Sequence, residues 1–448
     1  MNKARLDGLQ LMLLGSILFI AIGVMMEFTN ALAMTDFQEI YYGSRSVAHH
    51  YDPYRPDQLQ AFYEADTGSL PADSGVSHTR RLILFICSNL PTTLFLIAPL
   101  AALPWKWAMA AWMALIAAAF IFACFLLWKL GADSAPRLYA GLIVLILVNS
   151  GLLLCTGNPA GLVVSLTVIA VCCFLHNRFV AAGILCLAIA LAMKPHDAGP
   201  IWLYFFLVGG VHRKRALLTF ASTAVIAVAA VLWLSHVAPH WLQEYHSNLL
   251  TVTSPGGRDN PGPTTQGGRG IGQIISLQAI LSLICDNARF YNLAALLLSA
   301  PLVVIWCVKT WRSGFSSRLT RFALASIVPL TMLPVYHRTY DARLLLLAVP
   351  ACGMLWMGNR NLESRNLESR NLEGRNIDNR ALGRWAVVLT LAAIVLTGDI
   401  FWIVFFQITH YSGPAGTFAM FPAPLILLAL AIFYLWIYSR RAAPPVVE

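Results

Sequence analysis

The chain has 448 residues, of which 58% are hydrophobic and 12% charged, and its formal net charge is +10. The charged share is about half that of soluble domains, which excludes a soluble multidomain enzyme. Basic cytoplasmic loops explain the positive balance better than nucleic acid does, so no nucleic-acid partner is expected.

Apolar runs long enough for a hydrocarbon core about 30 Å thick recur along the chain. They are continuous rather than alternating, so they predict helices and not a barrel. The expected fold is all-α, a polytopic integral membrane protein with about 12 transmembrane helices and added juxtamembrane helices outside. The spans are read at 8–29, 107–129, 137–155, 159–176, 179–194, 200–211, 216–236, 290–309, 321–336, 341–357, 383–407 and 420–438. The first, from Gly8 to Phe28, is too long for a signal-peptide core and has no clear small-residue cleavage site behind it. It reads as a signal anchor that stays.

Charge sets the topology. With both termini cytoplasmic, the inner loops hold Lys3, Arg5, Lys129, Arg137, Arg178, Arg213 to Arg215, Lys309 to Arg321, Arg360 to Arg384, Arg440 and Arg441. Most of the 31 basic residues then lie on one side, as the positive-inside rule requires. Counting Leu82–Leu103 as a further crossing would invert every later loop. Asn89-Leu90-Pro91 breaks that stretch and Pro104 closes it, so it is expected to be an outer re-entrant or juxtamembrane hairpin.

The outer segments are then 30–106 and 237–289. Asp36 lies just past the first span, followed by Tyr41-Tyr42 and Asp52-Pro53-Tyr54. A carboxylate held where membrane meets water, beside aromatics, can serve as a general base. Equally, Asp36 can cap a short amphipathic helix ending near His50. The second segment carries SPGGRDNPGPTTQGGRG from Ser254 to Gly270, which suits a mobile lid or a solvated linker.

Three polar breaks fall on the outer face: Thr156-Gly157-Asn158-Pro159, Met193-Lys194-Pro195-His196-Asp197, and the stretch Val335 to Arg343. Lys194, His337, Arg338 and Arg343 together could neutralise a phosphate, with helix N-termini after Pro159 and Pro195 adding donors. Against this stand snorkelling of Lys194 to headgroups and a structural ion pair among Arg338, Asp341 and Arg343. Seven of the nine cysteines lie in apolar helices and no CxxC spacing occurs, so neither a zinc site nor a disulfide framework is indicated. His236, His240 and His246 read as ordinary loop histidines, and no metal site is expected. No GxSxG, Walker A or GxGxxG context is present.

The inner stretch Arg360–Arg380 repeats RNLES with small changes. Five residues turn a helix by about 500°, so its leucines make no stripe, and it reads as a cytoplasmic linker lengthened by duplication. The domains are therefore a catalytic module at 1–357 that includes both outer loops, a linker at 358–382, and a C-terminal transmembrane pair with tail at 383–448.

An outer Asp after the first helix, a YY and DPY element, a Pro-bounded hairpin, a GN turn, an MKP turn and a polar turn before the tenth span follow in order. This pattern, over roughly 8–357, resembles the GT-C superfamily of membrane glycosyltransferases, and within it glycosyltransferase family 87, the polyprenyl-phosphate-mannose-dependent mannosyltransferases. The resemblance implies a GT-C-like fold and Asp36 as the base that activates an acceptor hydroxyl. It implies a donor phosphate held by Lys194, His337, Arg338 and Arg343, and substrate contacts from Tyr41, Tyr42, Asp52, Tyr54, Asn158, His196 and Gln273. Gly270–Leu283 is similar to the family's amphipathic segment in the second loop. There are departures: Ser88-Asn89-Leu90-Pro91 replaces an aromatic-Pro-Pro start to the hairpin. The GQxN-like turn keeps only Gly157-Asn158, and the last turn reads YHRTYD.

What the resemblance implies is an inverting hexosyltransferase. It moves mannose from a polyprenyl-phosphate donor to a lipid-linked or glycan acceptor, without nucleotide, cofactor or metal. The setting implied is a bacterial plasma membrane with the active site facing the periplasm, and membrane lipids as partners. A lipid-linked-sugar flippase is the first rival, but no internal repeat is visible. A polysaccharide polymerase or ligase is the second, but the 237–289 loop holds only Arg258, Arg269 and Arg289. A non-catalytic scaffold leaves the polar turns unexplained.

Overall fold

Surrounded by lipid, an apolar run must satisfy its backbone polar groups within itself, and this chain does so with helices. The computed structural model describes residues 3–68, 75–262, 274–365, 373–409 and 422–440. The first helices are α1 (Lys3–Thr29), α2 (Thr35–Ala48), α3 (Pro56–Thr67), α4 (Gly75–Leu84), α5 (Pro91–Ala101) and α6 (Trp105–Gly131). Then come α7 (Pro136–Val148), α8 (Gly151–Thr156), α9 (Ala160–Leu175), α10 (Val180–Met193), α11 (Pro195–Leu207) and α12 (Gly210–Val237). After α13 (Trp241–Thr253), α14 (Leu277–Ile284), α15 (Ala288–Ser313) and α16 (Ser317–Thr331), a 3-10 helix (Asp341–Ala348) leads into α17 (Val349–Arg365). The chain continues with α18 (Glu373–Leu396), α19 (Asp399–Thr409) and α20 (Pro422–Arg440). Among the described residues there is no strand, only an isolated bridge between Ile274 and Arg338.

Each stretch expected to span the bilayer is helical over most of its described residues. Among the described residues, seven helical segments are long and apolar enough to cross it: Lys3–Thr29, Trp105–Gly131, Pro136–Thr156, Gly210–Val237, Ala288–Ser313, Asp341–Gly358 and Pro422–Arg440. Pro91–Ala101, Ala160–Leu175 and Val180–Met193 are shorter apolar helices. The protein is thus an all-α polytopic membrane protein. Large apolar side chains such as Ile17, Phe122, Val225, Leu232 and Leu297 point outward, where lipid rather than water solvates them.

Close helix packing depends on small residues. On α1 the buried residues are Gly8, Met12, Gly15, Phe19 and Gly23, which at this spacing share one face. That face meets α7 and α8. A Cβ on Gly15 would stand 2.8 Å from a methyl of Val144, and one on Gly23 2.7 Å from a methyl of Leu154. The two backbones therefore approach as small-residue interfaces in membranes allow.

The stretch 82–103 is not one helix. The chain leaves α4, runs irregularly through Phe85–Leu90, and starts again with Pro91 at the first position of α5. The repeat at 360–380 falls partly outside the described residues.

Candidate active site

Local breaks in the helices bring the polar residues together. Gly157 adopts a left-handed conformation (φ +66°), and a Cβ there would lie 2.7 Å from that of Phe37. Only glycine fits this position without strain or clash. The Gly157 carbonyl accepts from Trp112 Nε1 at 2.8 Å, and the Cys155 carbonyl accepts from the Met34 amide at 2.7 Å. These contacts seat the turn after α8 directly on the start of α2. Asn158 Nδ2 then donates to Asp36 Oδ2 at 2.8 Å, while its Oδ1 accepts from the Ala160 amide at 2.9 Å. The second bond fixes which end of the amide faces the carboxylate. Asp36 lies in the first turn of α2 and Met34 precedes it at the cap position, so Asp36 is half-buried and not the cap.

A second group forms where α10 gives way to α11. Thr93 of α5 donates to the Met193 carbonyl at 3.2 Å, pinning the end of α10. Lys194 Nζ lies 2.5 Å from Asp341 Oδ1 and 3.5 Å from Asp197 Oδ2. It also stands 5.1 Å from the centre of the Tyr340 ring. His337 Nε2 is 3.2 Å from Asp197 Oδ1, and the His196 ring meets the His337 ring edge-on at 5.0 Å. Arg338 donates from its backbone to Asp341 Oδ2 and from its guanidinium to Asp259 Oδ1 at 3.0 Å.

Asp259 belongs to the Gly- and Pro-rich loop. Its neighbour Arg258 bonds to Glu39, to the Ser88 hydroxyl at 2.7 Å and to the Ile83 carbonyl at 2.9 Å. Glu39 Oε1 also accepts from the Ser88 amide and the Asn89 side chain. Burial raises the Glu39 carboxyl above its ordinary 4.5, although Arg258 opposes the rise. Burial acts the same way on Asp259, but Arg258 and Arg338 outweigh it and hold that carboxyl below 3.8. Glu39 sits one turn from Asp36 on α2, and the charge of Asp36 is felt at Glu39, Arg258 and Tyr340. The Asp36–Asn158 pair, the Lys194 group and the loop network are therefore one contiguous polar site.

The other expected residues have different surroundings. Tyr41 and Tyr42 are buried, with hydroxyls on the Leu103 carbonyl and Asp66. Asp52 Oδ1 accepts from the Tyr54 amide, and the Tyr54 hydroxyl donates to the Asn89 carbonyl. The DPY element thus ties the break before α5 to α13, where Asn248 bonds the carbonyls of Tyr54 and Cys87. Arg343 is buried with Nη2 2.6 Å from Asp399 Oδ1 and Nη1 on the Thr397 carbonyl. These contacts join the 3-10 helix to the start of α19. Gln273 lies outside the described residues. Of the expected lid, 254–262 is held down through Arg258 and Asp259.

Sequence reading missed Glu39, Asp197, Asp259 and Asp341 as members of the site. The signal for Asp259 was its pairing with Arg258 in a Gly and Pro run whose only other charge is Arg269, and Asp197 and Asp341 lie within the polar breaks at 193–197 and 335–343.

A helical bundle with a buried, hydrogen-bonded polar site at its helix breaks is the frame of a membrane-embedded enzyme. The model of glycosyltransferase family 87 matches residues 89–336, more than half of the chain, so this protein belongs to that family of GT-C type membrane glycosyltransferases. The matched region includes Asn158, Lys194 and Arg258, while Asp36 precedes it and His337 follows it. Among curated proteins and among solved structures, none matches the chain.

Proposed function

We propose that the protein transfers mannose from a polyprenyl-phosphate donor to a lipid-linked or glycan acceptor, inverting the anomeric carbon, at a site facing the periplasm. In this reading both termini are cytoplasmic, residues 1–357 form the catalytic module, and 358–382 link it to the C-terminal pair. The observation that carries the proposal is Asp36, half-buried and aimed by Asn158 into a site that also holds Lys194, His337 and Arg338.

The chemistry runs as follows. The acceptor hydroxyl gives its proton to the Asp36 carboxylate, and its oxygen bonds to the anomeric carbon. The bond from that carbon to the phosphate oxygen breaks on the opposite face, and polyprenyl phosphate leaves with the electron pair. The growing charge on the phosphate needs stabilising more than the leaving group needs a proton. Lys194 and Arg338 supply that stabilisation, with His337 beside them. Two of the three ammonium donors of Lys194 face Asp341 and Asp197, which leaves the third for phosphate.

The test separates transfer from transport. Vesicles carrying the protein receive polyprenyl-phosphate mannose labelled in the sugar, together with an acceptor glycolipid. The expected result is label in a new glycosidic bond, released only by glycosidase or acid. Label that crosses the bilayer while still attached to polyprenyl phosphate would establish the flippase instead.

A further inference from the structure

The turn that joins α10 to α11 carries a group of side chains whose hydrogen bonding is incomplete. His337 is fully buried and its Nδ1 lies 3.1 Å from the Val335 carbonyl. A carbonyl only accepts, so Nδ1 carries a hydrogen and Nε2 is the ring atom left to face the carboxylate, where either a proton or a cation can join the two. Nε2 is 3.2 Å from Asp197 Oδ1, yet the two atoms have no hydrogen-bond alignment, and both Asp197 oxygens lack a hydrogen-bond partner. Asp197 is itself fully buried. His196 approaches the same oxygen, with Nε2 3.9 Å from Asp197 Oδ1.

Three atoms able to ligate a cation, one from each residue, thus lie within 4.8 Å of one another. In a tetrahedral site with bonds of about 2.1 Å, neighbouring ligand atoms are about 3.4 Å apart. The separations of 3.2 and 3.9 Å bracket that value.

We propose that His196, Asp197 and His337 bind a divalent transition-metal cation of the zinc class, with at least one coordination position open. The surrounding charges favour it. Asp197 and Asp341 bring two negative charges and Lys194 one positive, so with neutral imidazoles the group is one charge negative. Lys194 bonds most closely to Asp341 and approaches only Oδ2 of Asp197, leaving Oδ1 to the histidines. The Val335 carbonyl on His337 Nδ1 is the outer-shell bond that orients a ligand imidazole. The His196 side chain is 40% exposed, which gives a cation a way in. Two histidines and one carboxylate match the donor set of open, three-ligand zinc sites.

Cation binding is measured with no sugar donor or acceptor present, so its failure is distinguishable from failure of the glycosyl-transfer reading. The untagged full chain, stripped with a chelator and held in detergent micelles, is titrated with Co2+ and followed by visible d–d absorption. The expected result is one Co2+ per chain, displaced by Zn2+, with affinity at least about 10-fold lower in His196→Ala and binding abolished in Asp197→Asn. His196 is partly exposed, so its variant carries the test even where Asp197→Asn fails to fold. Absence of Co2+ uptake by the wild-type chain, or uptake unchanged in His196→Ala, overturns the proposal. In the first case His337 is an imidazolium that neutralises Asp197.

Discussion

The fate of individual side chains follows from what else can satisfy them. Asp36, Asn158, Lys194 and His337 stand out in the sequence because ionisable and amide groups beside helix breaks need a local reason, and all four fall in the polar site. Tyr41, Tyr42 and Arg343 look equally suitable in one dimension. The Tyr41 and Tyr42 hydroxyls are taken up by Leu103 and Asp66, and Arg343 Nη2 by Asp399, contacts between residues far apart in the chain that no spacing rule reveals. Asn158 donates to the Asp36 carboxylate and accepts from the Ala160 amide, which makes it a positioning residue for the proposed base. Asn158→Ala is expected to lower kcat by about 10- to 100-fold with donor KM nearly unchanged, because only the aim of the base is lost. An equal effect on KM would instead make Asn158 a substrate contact.

At the scale of elements, the sequence shows where helices break, because Pro and Gly act locally. The break before Pro91, the left-handed Gly157 and the start of α11 at Pro195 were all readable in this way. What packs against each break was not, since it depends on partners such as Trp112 and Thr93 in distant helices. The Gly- and Pro-rich loop is the clearest case. Its composition suggests freedom, but Arg258 and Asp259 attach residues 254–262 to Glu39, Ser88, Tyr336 and Arg338. Arg258→Ala leaves Glu39 buried without its cation, and hydrogen exchange across 254–262 is expected to rise at least several-fold. Unchanged protection would mean the attachment holds nothing in place.

The same attachment has a pH dependence of definite sign. The Asp259 carboxyl is held below its ordinary 3.8 by the two arginines, so the folded chain binds its proton less tightly than the unfolded chain does. Its stabilising contribution is fully present above that ordinary value and is lost as pH falls through the folded one. Protection factors for 254–262 are therefore expected to be flat between about pH 5 and 8 and to drop only in stronger acid. A fall near neutral pH would assign control of the loop to another group.

For the whole molecule, apolar composition together with continuous rather than alternating runs dictates a helical membrane protein, because only helices and closed barrels satisfy the backbone in lipid and a barrel needs alternation. Family membership adds glycosyl transfer, and the geometry gathers a carboxylate, an orienting amide and several cations in one polar site. The proposed mechanism depends on one proton transfer. Asp36→Asn keeps the shape of the side chain and leaves Asn158 in place while removing the base. With the variant purified, shown to be folded by its thermal transition and supplied with labelled polyprenyl-phosphate mannose and acceptor, transfer is expected to fall by about 100- to 10,000-fold. Donor binding, measured separately, should be retained. Full transfer by a folded Asp36→Asn protein would contradict the assignment of Asp36 as the base.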